Sequence, residues 1–244
     1  MTTATKTTTT TTIITTTTTT TQILPSSPPP LRGALIVLEG CDKTGKTTQA
    51  QRLVQSLNNA GKPAMFMRFP DRTTEIGKII DSYLKCNIEL EDHSVHLLFS
   101  ANRWEALPKI MSTLLGGTSL IIDRYAFSGV VFSAAKENMN LEWCKQSDAG
   151  LPKPDGVFFL DFGTKTTIES SSCDNKERYE EVEFQKKVYE NYHHLLLKED
   201  DDDESWKIID VKNKTIEDLQ KELIVEAVKI IDKVDGIKID ELWS

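Results

Sequence analysis

The chain has 244 residues, a length that suits one α/β domain with an appendage. Its formal net charge is −8, from 37 acidic and 29 basic side chains, which argues against a general nucleic-acid binder, since that would carry a basic stripe. No apolar run reaches membrane-spanning length, and the four cysteines lack metal-ligand or redox-motif spacing, so a reduced intracellular protein is expected.

Residues 1–32 are dominated by Thr and close on Pro28, Pro29 and Pro30. They hold no acid and only two bases, Lys6 and Arg32. With almost no apolar side chains to offset the entropy of ordering, this stretch reads as a disordered tail ahead of a folded domain over 33–244. It lacks the Arg content and amphipathic pattern of a mitochondrial transit peptide. The expected location is therefore cytoplasmic, with the nucleus also compatible and the mitochondrion disfavoured.

ALIVLE (34–39) has the pattern of a buried strand and runs into a Gly-rich turn. From Lys46 to Asn59, Leu53, Val54 and Leu57 recur at helical spacing, and Gly61 ends the segment. AMFMRF (64–69) reads as a second strand closed by Pro70. Residues 74–85 and 92–115 read as helices, the latter stopped by Gly116 and Gly117. SLIID (119–123), VFFLD (157–161) and WKIID (206–210) supply three more buried strands. Helical segments near 125–136, 178–198 and 215–233 fill the gaps. This alternation implies βαβ crossovers, hence an α/β fold with a parallel sheet and helices on both faces. Functional groups should collect beyond the carboxyl ends of the strands. The run EDDDDE (199–204) reads as a solvated surface loop, because like charges at that density repel.

The strongest chemical signal is GCDKTGKT, Gly40 to Thr47, placed between a strand and a helix. It matches the P-loop, whose glycines let backbone N–H groups wrap phosphates at a helix N-terminus. Lys46 would reach the β- and γ-phosphates, and the Thr47 hydroxyl would ligate Mg²⁺. A guanine-reading Asn-Lys-x-Asp is not evident, because Asn213–Lys214 is followed by Thr215 and Ile216. Asp123 ends the third strand, where a carboxylate can hold the Mg²⁺ shell. Arg72 and Arg124 follow the second and third strands. Two guanidiniums at successive strand ends suit an acceptor phosphate, because their planar forks grip oxygens in pairs. Phe99 and Arg103, four apart in LLFSANRW, share a helix face that could stack and hydrogen-bond a nucleobase. A core Phe beside a solvated Arg is the competing reading. His93 and His96 have no third ligand suitably placed, and His193 and His194 read as helix surface.

With these residues assembled, the chain resembles the thymidylate kinase family, of the eukaryotic and poxviral type, over roughly residues 32–244. The similarity rests on GCDKTGKTTQ, FPDR with TEIGK, HLLFSANRWE, DRYAFSGV, WCKQ, GLPKPD and ERYE in that order. The resemblance implies transfer of phosphate from ATP to dTMP with Mg²⁺, in a homodimer built on packed helices. It also implies the P-loop nucleoside-monophosphate-kinase fold, with a five-stranded parallel sheet and a mobile lid at about 164–180. Lys43, Thr44, Gly45, Lys46, Thr47 and Thr48 would bind ATP. Asp42 corresponds to the residue on the sugar 3′-hydroxyl, and Arg72 and Arg124 to those on the dTMP phosphate. Phe99 corresponds to the ring stacked on thymine, and Arg103 to the donor for its carbonyl. Phe132 and Tyr179 correspond to the residues packed around the sugar, and Asp123 to the acid at the Mg²⁺ centre. The family's usual Arg after Asp42 is Lys43 here, which keeps charge but loses the planar fork. The stretch TIESSSCDNKERYE has no Arg before Arg178 and no Gly, unlike the family's usual lid. A kinase for another monophosphate and a non-catalytic P-loop protein remain the alternatives.

Overall fold

The computed structural model describes residues 32–163, 177–179, 181–198 and 205–244. The tail through residue 31, most of the expected lid (164–176 and 180) and the acidic run 199–204 lie outside the described residues. Five strands form one parallel sheet: β1 (Leu35–Glu39), β2 (Ala64–Arg68), β3 (Ser119–Asp123), β4 (Gly156–Asp161) and β5 (Trp206–Asp210). Their order is β2-β3-β1-β4-β5, and the sheet has the five parallel strands expected of the P-loop nucleoside-monophosphate-kinase fold. The register pairs Leu38 with Asp123 and Arg68 with Asp123, so the functional ends of β1, β2 and β3 finish level.

Strand alternation divides the core into two layers. Leu35, Val37, Leu120, Ile122, Val157 and Phe159 face one way. They meet Ile110 and Leu114 of α4 (Leu107–Leu115), Val131 of α5 (Ala126–Ala134), and Val188, Tyr192 and Leu195 of α7 (Val182–Lys198). Ile36, Leu38, Ile121, Phe158, Leu160 and Ile209 face the other way. Their partners are Leu53 and Leu57 of α1 (Lys46–Asn59) and Leu219 and Leu223 of α8 (Ile216–Lys233). Each such side chain contributes about 1.5–3 kcal/mol through burial, so both helix layers are held by the sheet they cover.

The helix ends follow local chemistry. Thr74 caps α2 (Glu75–Leu84) by accepting from Gly77 N, and Glu91 caps α3 (Asp92–Trp104) by accepting from Ser94 N. The single helix expected over 92–115 is two, α3 and α4, separated at Glu105 and Ala106. Pro108 explains the break. It has no N–H to donate, and its ring would collide with the carbonyl of Trp104 four residues earlier. A short α6 (Leu141–Gln146), capped by Asn140, was not marked by any apolar period. His193, expected at the helix surface, is half-buried, its ring 4.4 Å from that of Tyr189 and 6.0 Å from that of Phe159.

Arg32, assigned by composition to the tail, belongs to the domain. Its guanidinium donates to both oxygens of Asp155 at 2.8 and 2.7 Å, and its Nε donates to Ile237 O. Asp155 also accepts from Leu35 N, so this pair fixes where β1 starts. Both side chains are largely buried. Arg32→Ala should therefore lower stability by about 3 kcal/mol, read as a shifted urea midpoint at unchanged slope.

Candidate active site

The site forms where β1 and β3 end side by side and send their helices to opposite faces of the sheet. After β1 the chain turns through Gly40–Gly45 into α1. Gly45 has φ 80° and Gly40 has φ 141°, backbone that a Cβ would strain; at Gly40 the Cβ would also lie 2.8 Å from Leu160 O. Lys43 adopts φ 62° in the same turn. Lys46 is buried and folds back onto the loop, donating to Cys41 O at 2.5 Å and to Thr44 Oγ1 at 3.0 Å. Burial, with Arg124 nearby, pushes its pKa down to about 8.

After β3, Arg124 stands at φ 66°, its N–H donating to Leu38 O at 3.0 Å. The buried Glu39 holds this corner. It accepts from Tyr125 N, Ser128 N, Ser128 Oγ and Tyr192 OH, so four donors satisfy one carboxylate. From there the Arg124 guanidinium reaches Gly40 O, Ser128 Oγ and Asp42, tying the third strand's cation to the P-loop. Burial works against its charge, and Asp42, with Asp123 and Glu39, outweighs burial and keeps its pKa raised.

Asp123 and Thr47 meet across the crevice, the Thr47 hydroxyl donating to Asp123 Oδ2. The other carboxylate oxygen, Oδ1, is buried and has no hydrogen-bond partner among the described residues. An orphaned anionic oxygen beside a P-loop threonine fits a divalent cation, because oxygen donors of this kind are what Mg²⁺ takes.

Every residue expected at the site lines one cleft of about 640 Å³ that runs from Lys43 and Thr48 to Phe99 and Tyr179. Phe99 is half-buried against Ile80, Tyr83, Leu84 and Val95 and still reaches the cleft. Arg103 is not the solvated cation of the competing reading. It is 2% exposed, and Nε and Nη2 donate to the wholly buried Asp148 at 3.0 and 2.5 Å. Phe132 lies under Arg124, 5.1 Å from guanidinium carbon to ring centre, and 5.8 Å from the Tyr179 ring. Tyr179 stacks on Phe184 at 5.0 Å. Arg72 lines the cleft while paired with Asp81 and Glu177.

A family profile described as Thymidylate kinase matches residues 38–223. The chain belongs to the thymidylate kinase family. The thymidylate kinase of Danio rerio is 48% identical over 212 residues, covering 87% of this chain and 98% of that protein. The Homo sapiens thymidylate kinase is 47% identical over 213 residues, with the same coverage of both chains. Among solved structures, the thymidylate kinase from Candida albicans matches with a TM-score of 0.71 at 36% identity, over 82% of this chain and 94% of that one. The family's reaction, ATP-dependent phosphorylation of dTMP, is this enzyme's activity.

Within this thymidylate kinase cleft, several residues escaped sequence reasoning. Asp148 holds Arg103, Glu177 holds Arg72, and Gln185 donates to Asp42 Oδ2 and to Tyr179 O. Arg68 lies 3.7 Å from Asp123 and lines the same cleft. Each is one ordinary polar residue far along the chain from its partner, except Arg68, whose place at the end of β2 was the available signal. Gly129 was missed too. A Cβ there would lie 2.6 Å from Arg103 Nη2, so the guanidinium rests directly on the α5 backbone. Gly129→Ala should cost about 1–3 kcal/mol of stability and weaken dTMP binding more than ATP binding, measured by urea unfolding and calorimetric titration.

Proposed function

We propose that the cleft aligns ATP on the P-loop with dTMP between α3 and α5, for in-line transfer of the γ-phosphoryl group. The observation that carries this reading is the Thr47–Asp123 pair, with its unpartnered carboxylate oxygen, set between the P-loop and two acceptor-side arginines. Both substrates are anions, so the protein's work is positioning and neutralisation rather than proton transfer. Backbone N–H groups of residues 43–48 wrap the triphosphate, and Lys46 leaves its contacts with Cys41 O and Thr44 to meet the β- and γ-oxygens. Arg72 and Arg124 hold the acceptor phosphate in line. Asp42, Phe132 and Tyr179 border the sugar, and Phe99 with Arg103 receives the thymine ring. Thr47 and Asp123 would hold Mg²⁺, which when bound neutralises charge on the β- and γ-phosphates. Lys43, at the rim, supplies the charge that the family usually draws from an Arg.

The same reading extends to assembly and place. Ile79 on α2, Leu97 on α3 and Trp143 on α6 are exposed, and the Trp143 ring contacts that of His93, one turn before Leu97. Large apolar groups exposed on neighbouring helices support a homodimer packed through α2, α3 and α6. No helix among the described residues is long and apolar enough to cross a membrane, and the proposed location is the cytoplasm.

The Candida albicans relative is described as having broad substrate specificity, so the acceptor range is the direct test. Coupled ADP release with ATP and Mg²⁺ should be fast on dTMP, slower on dUMP and near zero on dCMP and UMP. Absence of turnover on all four, from folded protein, would overturn the reading. A second measurement follows from Lys46. Its pKa of about 8 in the free protein must rise against a triphosphate, so ATP binding takes up a proton above that pH. ATP affinity should fall as pH rises from 7.5 to 9, and titrations in buffers of different ionisation enthalpy should show proton uptake at pH 8.5 and almost none at pH 7.

A further inference from the structure

Arg72 meets its own chain before it meets a substrate. Glu177 takes the Nη1–Nη2 edge of the guanidinium, with Oε1 at 2.8 Å and Oε2 at 3.0 Å. That paired, parallel geometry is the one a phosphate would adopt on the same edge. Asp81 accepts from Nη1 at 2.7 Å and is itself held by Lys85 at 2.6 Å, so the guanidinium is anchored from behind by a second acid. The neighbours of Glu177 fix where its carboxylate stands. Arg178 N donates to Leu84 O, Arg178 Nε to Tyr83 O and Nη2 to Glu89, and its guanidinium carbon lies 4.2 Å from the centre of the Tyr83 ring. On the other side Tyr179 is stacked on Phe184. Both Glu177 and Arg72 line the cleft, each with about a third of its side chain exposed, so solvent and a ligand can reach the pair.

We infer that Glu177 is an internal competitor for Arg72, an affinity-setting residue whose carboxylate occupies the acceptor-phosphate position until a phosphate dianion replaces it. This rests on the proposed role of Arg72 in holding the dTMP phosphate. Electrostatics decides who wins the exchange. A carboxylate brings one negative charge and two acceptor oxygens, whereas a phosphate monoester brings nearly two charges and three. With about a third of each side chain in solvent, the pair is screened by water, so Glu177 can yield to a dianion. A nucleoside without phosphate, or one whose phosphate is esterified to a monoanion, gives Arg72 no reason to leave Glu177. The residue thus acts through Arg72 and lowers affinity for acceptors in proportion to how far they use its guanidinium.

The test is calorimetric titration of dTMP, thymidine and the dTMP methyl ester into wild type, Glu177→Gln, Glu177→Ala and Arg72→Ala, with ATP binding as the check on folding. Both Glu177 variants should bind dTMP about fivefold more tightly, the equivalent of about 1 kcal/mol. The monoanionic ester, which takes less from the guanidinium, should show a smaller gain, and thymidine and ATP none. Weaker or unchanged dTMP binding in both variants, with ATP binding intact, overturns the competitor role and makes Glu177 a partner that orients Arg72 or a bystander. Arg72→Ala separates the two levels of the argument. If it leaves dTMP binding unaltered, the assignment of Arg72 to the phosphate fails. If it weakens dTMP and not thymidine while the Glu177 variants show no gain, only the competitor role fails.

Discussion

Adjacent parallel strands β1 and β3 release their helices to opposite faces of the sheet, and the crevice this opens is the constraint on which the rest of the molecule depends. On one lip the P-loop leads into α1, and on the other Asp123 and Arg124 lead into α5. Neither lip carries chemistry alone, because a phosphate bound at a helix N-terminus still needs charge from across the gap. The Thr47–Asp123 hydrogen bond and the Arg124–Asp42 pair span the crevice and set its width. Sheet hydrogen bonds place Leu38 opposite Asp123, so the spacing of the reacting groups is inherited from backbone register rather than from flexible side chains.

Glu39 shows how costly chemistry is made stable. It is an acid with no solvent exposure at the last position of β1, where an unpaired charge would be severely destabilising. Its four donors come from the first turn of α5 and from α7, so burying the carboxylate forces both helices into one relation with the P-loop. The left-handed backbone of Arg124 is tolerated because Leu38 O and Glu39 hold the N–H groups on either side of the bend. The strain at that residue, about 1–2 kcal/mol, aims its guanidinium back at Gly40 and Asp42.

What could be read beforehand was whatever chemistry writes locally. The five strands were legible because each is a short apolar run between turn residues, and the P-loop because its glycines, lysine and threonine must be contiguous. Arg72, Asp123 and Arg124 were legible because strand ends are marked and the fold collects function there. The partners were not. Asp148 lies 45 residues from Arg103, Glu177 lies 105 from Arg72 and Gln185 lies 143 from Asp42, and nothing local separates these residues from surface polar groups. The break between α3 and α4 was legible in principle. Pro108 marks it, but the apolar period runs on through both helices and outweighed one residue.

In this acidic protein, which binds two anions, Arg72, Arg103 and Arg124 of the cleft are already held by acids, and the depth of each pair matches the charge of what it is proposed to meet. Arg103 and Asp148 are sealed from solvent, and separating them would cost several kcal/mol, so they stay together whatever binds. The pair has no net charge, and Nη1 is uncommitted among the described residues, which suits a neutral thymine carbonyl. Arg72 sits at the opposite limit. Its carboxylate partners are partly exposed to solvent, so on the proposed role its charge becomes available once a dianion arrives. Arg124 lies between, more buried than Arg72 and paired with an Asp42 that is itself about a third exposed. On the proposed roles, base recognition is a fixed template and phosphate recognition an exchange of partners. The ordering follows from burial, which is how a protein with net charge −8 can present guanidinium charge that is balanced by acids in the absence of substrate.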